Sequence, residues 1–211
     1  MTTEQVVPVV MDVALPAGMA GPDPVEFDVR CFLVRHDDGL VLVDAGFPAD
    51  GTPIALALAG MGAGWSDLSD VVLTHAHPDH CGALAALPQL APSAAVWGGA
   101  GDEYPPFVRA VEGGETVRGL RVVATPGHTA GHLCLFDEDR STLFSGDAVG
   151  SQAGLLTQGP RPFIADPEEA MRSLRLLSAL GAHRMLFGHG GEVPDPAGAL
   201  MAFIASEGLQ T

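Results

Sequence analysis

A dense group of metal-ligand side chains occupies residues 74–80, where the sequence reads THAHPDH directly after the apolar run DVVL. Neutral imidazoles packed this closely would lose stability if charged, but they are good ligands for a divalent cation. His75 and His77 are two residues apart, so on an extended segment they point the same way. Asp79 and His80 follow at a predicted helix start and form a second pair. The spacing therefore predicts ligands for two adjacent metal ions.

Other polar residues repeat one arrangement, in which an apolar strand is followed by a glycine-containing turn and a candidate ligand. These residues are Asp44, His128, His132, Asp147 and His189. Open α/β sheets collect their ligands at the carboxyl ends of strands. Glycine lets the backbone bend close to a bound group. We therefore expect these side chains to converge on the THAHPDH segment.

The elements that must position these residues are short strands and a few helices. Val- and Leu-rich runs predict strands at 26–34, 39–46, 70–75, 94–98, 120–127, 132–137 and 141–147. Helices are predicted at 80–87, 166–181 and 194–208. The second helix has Asp166 as its N-cap and Pro167 at its first position. This mixture predicts the α/β class.

Composition limits the function of this chain of 211 residues, which we expect to form one domain over 1–211. Hydrophobic residues make up 47%, enough for a substantial core. The formal net charge is -16, and the sequence contains no lysine. A Schiff-base lysine and a P-loop lysine are therefore excluded. The acidic charge also argues against nucleic acids and anionic membranes as partners.

The chain ends and the cysteines indicate the compartment. The first residues, MTTEQVVPVV, lack the basic residues and long apolar run of a signal peptide. No apolar run approaches the roughly 20 residues of a membrane span. Cys31, Cys81 and Cys134 are too few and too scattered for a disulfide framework. These features predict a cytoplasmic protein.

Two glycine-rich stretches, 98–119 and 149–165, do not have the pattern of regular core elements. They are either ordinary surface connections or loops that line a pocket, and their position beside the motifs favours the second interpretation. Candidate substrate contacts within them are Tyr104, Phe107, Arg161 and Phe163. Arg161 has two interpretations, a partner for a substrate carboxylate or a surface arginine.

The motifs HAHPDH, TPGHTAGH, SGD and GHG, in this order and spacing, resemble the metallo-β-lactamase superfamily over residues 26–192. The resemblance implies an α/β fold, a four-layer αβ/βα sandwich with a metal site at one edge between two sheets. It also implies a set of seven metal ligands, namely His75, His77 and His128 for one ion, Asp79, His80 and His189 for a second, and Asp147 bridging both. Asp44 and His132 would support these ligands through hydrogen bonds.

The activity implied by this resemblance is that of a metal-dependent hydrolase. A metal-bound hydroxide would cleave an ester, thioester or lactone of a small molecule, and Asp79 would be the catalytic residue that orients the hydroxide and moves a proton. Two divalent ions are implied, with zinc preferred and iron or manganese as alternatives. The partner would be the small-molecule substrate, and the resemblance leaves a homodimer open.

The family branch is less sharply defined by the sequence. The motifs are most similar to small hydrolases such as glyoxalase II and lactonases, but glyoxalase II carries a C-terminal helical domain. Only about twenty residues follow His189, which favours a related hydrolase over glyoxalase II itself. The alternatives are a mononuclear iron persulfide dioxygenase using His75, His128 and Asp147, a β-lactam hydrolase, and a non-catalytic metal-binding interaction protein.

Overall fold

A computed structural model of the chain describes residues 6–18, 22–36 and 39–207. Within them the first sheet contains six strands, in the order β1 (Val6–Leu15), β2 (Val25–His36), β3 (Gly39–Val43), β4 (Leu68–Val72), β5 (Ala95–Gly99) and β6 (Val108–Val111). The pairs β1/β2 and β2/β3 are antiparallel. The strands β3 to β6 run parallel to their neighbours.

The second sheet contains five strands, in the order β13 (Arg184–Leu186), β10 (Thr142–Phe144), β9 (Leu133–Asp137), β8 (Leu120–Ala124) and β7 (Thr116–Val117). The pair β10/β13 is parallel and the other pairs are antiparallel. A separate hairpin is formed by β11 (Gly150–Gln152) and β12 (Leu155–Thr157). The helices are α1 (Thr52–Gly60), α2 (Leu87–Leu90), α3 (Pro167–Ser178) and α4 (Pro196–Glu207).

Alternation along the strands builds three layers of core. In β2, Cys31 and Leu33 face a core shared with α1 and α2, whereas Phe32 and Val34 face the second sheet. A third core lies between the second sheet and α3 and α4, with Leu174 among its members. Two sheets thus pack face to face with helices on both outer sides. The predicted α/β sandwich of four layers is confirmed.

The predicted helix at 166–181 corresponds to α3. The Asp166 carboxylate accepts a hydrogen bond from the backbone N–H of Glu169 at 3.0 Å, and Pro167 is the first helical residue. The helix ends at Ser178, earlier than predicted, and Gly181 follows with a positive φ of 67°. The predicted helix at 194–208 is α4, and residue 208 lies outside the described residues.

The predicted helix at 80–87 is wrong. Residues 80–83 form turns, followed by a 3₁₀ turn and the short helix α2. Their backbone is used elsewhere, because the carbonyl of His80 accepts from Ala45 N at 2.7 Å and Gly82 N donates to the Gly46 carbonyl at 2.8 Å. A Cβ on Gly82 would lie 2.3 Å from that carbonyl oxygen. Contact with the segment after β3 therefore replaces helical hydrogen bonding.

Several strands lie outside the predicted set. β1 is an edge strand, and β6 and β7 lie inside the stretch 98–119. Likewise β11 and β12 lie inside 149–165. Four of these five strands have only two to four residues, too few to show a clear alternation. The strand β1 is apolar, but it contains Pro8, which is tolerated because β1 lies at the sheet edge. The two glycine-rich stretches are therefore partly regular structure.

Candidate metal centre

The candidate ligands lie at one edge of the sandwich, after the carboxyl ends of five strands. In the first sheet these are the segments at 44 and 73–80, following the parallel strands β3 and β4. In the second sheet the corresponding segments are 125–132, 145–147 and 187–189. They follow β8, β10 and β13, three strands that run in the same direction. The two sheets are joined here, since Leu133 N donates to the Thr74 carbonyl at 2.8 Å.

Three imidazoles form the first cluster, which we call the inner triad: His75, His77 and His128. Their candidate ligand atoms lie within 4.8 Å of one another. The Nε2 atom of His128 is 2.9 Å from Nδ1 of His77. His75 is completely buried and His128 is 5% exposed. Two segments from different sheets thus deliver three nitrogen ligands to one point.

The second cluster, which we call the outer triad, contains Asp79, His80 and His189. Nε2 of His189 lies 3.3 Å from Oδ2 of Asp79 and 3.4 Å from Nε2 of His80. His80 is completely buried, but the side chains of Asp79 and His189 are 27% and 28% exposed. Two of the three outer ligands are therefore partly exposed, whereas in the inner triad only His77 is.

The carboxylate of Asp147 lies between the two triads. Its Oδ1 is 3.2 Å from Nε2 of His80, and its Oδ2 is 3.2 Å from Nε2 of His189. On the other side Oδ2 is 3.5 Å from Nε2 of His128 and 3.9 Å from Nε2 of His75. One carboxylate thus contacts members of both triads, which is the geometry of a bridging ligand. All seven residues in the predicted ligand set are brought together.

Asp44 orients two of these ligands. It accepts from Thr74 N at 2.7 Å, from Thr74 Oγ1 at 2.9 Å and from Nδ1 of His80 at 2.9 Å. Because the Thr74 hydroxyl uses its only proton on Asp44, it accepts from Nδ1 of His75 at 3.1 Å. Both imidazoles therefore carry their proton on Nδ1 and present Nε2 to the site. The sequence predicted this supporting role for Asp44.

His189 is oriented from the first sheet. Its Nδ1 donates to the backbone carbonyl of Asp28 in β2 at 2.7 Å, which turns Nε2 toward the site. The Asp28 carboxylate accepts from Gly190 N at 3.2 Å and from Arg30 Nε at 2.5 Å. Asp28 thus holds both the side chain of His189 and the backbone of the next residue, Gly190.

His132 is buried beside the inner triad but does not offer it a nitrogen. Its Nε2 accepts from the backbone N–H of Asp147 at 3.0 Å, so its proton lies on Nδ1, which donates to Thr125 Oγ1 at 2.8 Å. Burial lowers its pKa to about 3, so the ring is neutral. This geometry supports a role for His132 as a hydrogen-bond acceptor for the backbone of Asp147, and not as a metal ligand.

Glycines allow the ligand segments to approach closely. A Cβ on Gly188 would lie 2.5 Å from Oδ1 of Asp147 and 2.6 Å from Cε1 of His80. Gly146 has a φ of 49°, and a Cβ there would lie 2.8 Å from Nε2 of His132. Larger residues at either position would push ligands apart.

The unsatisfied polar atoms of the structure indicate what the site can hold. Among the described residues, four buried side-chain atoms lack a hydrogen-bond partner: His75 Nε2, His128 Nδ1, Asp147 Oδ1 and Tyr104 Oη. Three of the four belong to the inner triad or to the carboxylate between the triads. Buried polar atoms are normally paired, so this concentration is typical of a cation site. Imidazole nitrogens and carboxylate oxygens suit zinc, iron and manganese ions, and the residues present therefore fit divalent metals.

The surroundings of the inner ligands keep them in the protonation state that binds a metal ion. Burial lowers the pKa of His75 well below its usual range and that of His128 to about 4, so both imidazoles are neutral at pH 7. Burial would raise the pKa of Asp147, but His80 and His189 outweigh it and hold the carboxylate ionised.

The outer histidines differ, because nearby carboxylates overcome the effect of burial. Asp147 and Asp79 raise the pKa of His189 to about 10, and Asp147 and Asp44 raise the pKa of His80 well above its usual range. Metal binding at the outer triad therefore competes with protons on both histidines.

None of the candidate substrate residues belongs to either triad. Tyr104 packs on Gly98, where a Cβ would lie 2.6 Å from its Cε2, and it joins the core beneath α1 and α2. Phe107 is 39% exposed. Neither residue belongs to a triad. A substrate contact from these two residues stays a prediction.

Arg161 and Phe163 lie in a 3₁₀ turn beside a groove of about 580 Å³. Arg161 lines this groove, and Phe163 is 44% exposed. The turn continues into a segment that is fastened to the inner triad, since Ala165 N donates to the His128 carbonyl at 3.1 Å. The predicted pocket-lining role of this stretch therefore remains compatible with its position, and it stays a prediction.

Sequence reasoning missed two carboxylates near the ligands, Asp28 and Asp102. Asp28 lies in β2, and Asp102 lies in the glycine-rich stretch after β5, where it accepts hydrogen bonds from the segments of both HAHPDH and TPGHTAGH. Neither has a neighbouring ligand in the sequence, so no local pattern marks it. Thr74 and Thr125, by contrast, lie inside the motifs.

No helix within the described ranges is both long enough and apolar enough to cross a membrane.

Known relatives provide a comparison for this centre. The chain is 30% identical to the uncharacterized protein YobT of Bacillus subtilis (strain 168), over 82% of this chain and 88% of that protein. It is 34% identical to a hydroxyacylglutathione hydrolase of Albidiferax ferrireducens, over 75% of this chain and 60% of that protein. It is 37% identical to a hydroxyacylglutathione hydrolase of Pseudomonas putida (strain GB-1), over 63% of this chain and 51% of that protein. The chain thus spans half to three fifths of these two hydrolases.

Solved structures share the fold. The metallo-beta-lactamase family protein TTHA1429 from Thermus thermophilus matches with a TM-score of 0.70 at 22% identity, over 95% of this chain and 80% of that one. TTHA1623, solved in a di-iron-bound form, matches with a TM-score of 0.67 at 26% identity, over 90% of this chain and 96% of that one. The family model described as the metallo-beta-lactamase superfamily matches residues 24–107 and 100–189. The chain therefore belongs to the metallo-β-lactamase superfamily.

Proposed function

We propose that this protein is a metal-dependent hydrolase with two metal ions, and that it cleaves a thioester of a small molecule. The single observation that carries the proposal is the pair of triads sharing Asp147, because it offers a complete ligand set for each of two ions. Bound divalent ions would supply Lewis acidity that polarises a carbonyl and activates water at neutral pH. Zinc is the preferred ion, with iron or manganese as alternatives.

The relatives support the thioester over the other carbonyl substrates. Hydroxyacylglutathione hydrolases, whose name describes thioester cleavage, are 34% and 37% identical to this chain. Esters and lactones remain the alternative substrates of the same site. The net charge of -16 supports a small neutral or weakly charged compound as partner, rather than a nucleic acid or an anionic membrane.

Asp79 is the residue that we assign to proton transfer. Burial would raise its pKa, but the hydrogen bond from His189 and the nearby His80 lower it, so the carboxylate is ionised at pH 7 and can accept a proton. Its side chain is 27% exposed, compared with 12% for Asp147, so it is the more accessible carboxylate to substrate and water. His189, 3.3 Å away, fixes its orientation.

The test combines metal analysis with a substrate panel. Protein purified without added metal would be analysed for its bound metal and for oxygen uptake on glutathione persulfide. Protein loaded with zinc would then be assayed with a hydroxyacylglutathione, an activated ester, a lactone and a chromogenic β-lactam. We expect about two equivalents of metal and the highest kcat/KM for the thioester. Asp79→Asn, which retains size but cannot accept the proton, should weaken the outer ion and, at saturating metal, lose activity by about 10²-fold or more.

Three results would contradict the proposal. The first is uniform inactivity across the panel with both ions bound, which would favour a non-catalytic metal protein. The second is one equivalent of iron together with oxygen uptake on glutathione persulfide, which would indicate a dioxygenase. The third is a preference for the β-lactam, which would move the activity to another branch of the superfamily.

A further inference from the structure

The carboxylate of Asp102 connects the two segments that supply the inner triad. Its Oδ2 accepts from Ala76 N at 2.9 Å and from Thr129 Oγ1 at 2.8 Å, and its Oδ1 accepts from Gly131 N at 2.8 Å. Ala76 lies between His75 and His77, and Thr129 directly follows His128. Both oxygens are therefore used, and each of the three bonds ends within one to three residues of an inner ligand.

Glycines bring the Asp102 segment into direct backbone contact with the TPGHTAGH segment. A Cβ on Gly99 would lie 1.9 Å from the carbonyl oxygen of Gly131, and a Cβ on Gly101 would lie 2.6 Å from the carbonyl carbon of Ala130. A Cβ on Gly131 would lie 2.4 Å from the backbone nitrogen of Asp102. Such contacts leave no room for a side chain, so the carboxylate is held at a fixed distance from its donors.

We propose that Asp102 is the positioning residue of the inner triad and sets the gap between His77 and His128. The two histidines come from segments following different sheets, and Nε2 of His128 lies 2.9 Å from Nδ1 of His77. Bonds from a carboxylate to N–H and O–H donors are charge-assisted and therefore stronger than neutral ones. Asp102 thus fixes how far apart the two segments lie, without itself being a ligand.

The outer triad is held differently, which makes the effect of Asp102 selective. Among the described residues, the hydrogen bonds of the Asp102 carboxylate come from Ala76, Thr129 and Gly131. The backbone beside His189 is instead held by Asp28, through Gly190 N. Loss of the Asp102 carboxylate should therefore weaken one ion and spare the other. This inference rests on the metal centre of the proposed function but is independent of its substrate.

The experiment is a Co²⁺ titration of chelator-treated protein, followed by its visible absorption. His77→Ala and His189→Ala provide reference spectra for proteins that lack one inner or one outer ligand. We expect Asp102→Asn to bind one ion with unchanged affinity and the other about 10- to 100-fold more weakly, the usual effect of losing a group that orients ligands. Its spectrum at one equivalent should match that of His77→Ala.

Two further variants keep the result interpretable. Asp70→Asn is the matched control, because Asp70 is, like Asp102, a carboxylate that accepts several hydrogen bonds, here from Trp97 Nε1 at 2.8 Å and Arg118 Nε at 2.7 Å. It should lower thermal stability without changing either ion affinity. Thr129→Val removes one of the three bonds to Asp102, and it should weaken the inner ion about threefold to tenfold while the protein remains folded.

Two outcomes would overturn the inference. The first is wild-type affinity for both ions in Asp102→Asn and in Thr129→Val. The second is equal weakening of both ions, or a spectrum that matches His189→Ala. The titration contains no substrate, so failure of the thioester assay leaves the inference standing. Wild-type protein that binds no Co²⁺ would instead refute the proposed function.

Discussion

The inner and outer triads lie side by side and share Asp147, but they differ in exposure and in support. The inner triad consists of imidazoles, with His75 completely buried and His128 5% exposed. In the outer triad, Asp79 and His189 have side chains that are 27% and 28% exposed. Burial also keeps His75 and His128 neutral, whereas the pKa of His189 is raised to about 10 by Asp147 and Asp79 despite its burial.

This difference separates two tasks that one metal site must perform. Rigid, buried imidazoles hold an ion with little reorganisation, since hydrogen bonds fix their rings and their backbone. Partly exposed ligands allow water and substrate to reach the site, but they bind the ion less tightly. We expect the inner ion to be the more firmly bound one and the outer position to be the more accessible one.

The largest effect is expected from the residue that the triads share. Asp147→Ala removes contacts to both, so it should abolish binding of both ions and lower kcat/KM by more than about 10³-fold. Metal analysis and steady-state kinetics measure this. Asp139→Ala, at an exposed acid in the turn after β9, is the control and should behave like the wild type. Retention of one ion by Asp147→Ala would show that the triads are independent.

Removal of metal should proceed in two steps. A chelator should take the outer ion at least about tenfold faster than the inner one, because two of its ligands are partly exposed and protons on His80 and His189 compete with the metal. Stopped-flow absorption of the Co²⁺ protein resolves the phases. His189→Ala should lack the fast phase and His77→Ala the slow one. A single phase, or the reverse assignment, would contradict the ranking of the two triads.

His132→Phe should affect both triads equally. It leaves the buried N–H of Asp147 without its acceptor, which costs about 1–3 kcal/mol in the free energy of unfolding. Urea denaturation measures that loss, and a metal titration should show both ions weakened by a similar factor. Thr125→Val removes only the partner of Nδ1 and should have a smaller effect. Weakening of one ion alone would mean that His132 serves a single triad.

The smallest effect is expected at the start of α3. Asp166→Ala removes the N-cap and should lower the free energy of unfolding by about 1 kcal/mol. The backbone bonds from Ala165 N to the His128 carbonyl and from Asp166 N to the Gly127 carbonyl are retained, so both ion affinities should stay unchanged. Chemical denaturation and metal titration test this together. A selective loss at the inner triad would show that α3 also positions His128.

The fold class and the clustering of the candidate ligands could be predicted from the sequence because their signals are local. HAHPDH places four candidate ligands within six residues, and the apolar runs before each motif predict the strands that carry it. The cap at Asp166 likewise marks a helix within one turn of chain. Each of these patterns is decided by residues close together in the sequence.

The features that were missed depend on tertiary contact. The segment 80–87 has an apolar, helix-like composition, but the backbone of residues 80–83 pairs with residues 45 and 46, which no local pattern shows. Asp28 and Asp102 are single acids whose partners lie far away in the sequence, as with Asp28 and Gly190. The strand β1 is apolar but contains Pro8, and only its pairing at the sheet edge makes that proline acceptable in a strand. Long-range contact, rather than propensity, decides these positions.

The joining of the sheets at this edge has a consequence for the whole protein. Each triad takes ligands from segments of both sheets, so an ion bound there would act as a cross-link between the two halves of the sandwich. Such a cross-link exists only in the folded chain, and an ion at 100 times its dissociation constant would stabilise it by about 2.7 kcal/mol. The concentration of available metal would then govern how long the protein survives heat and proteases, and not only how fast it turns over substrate.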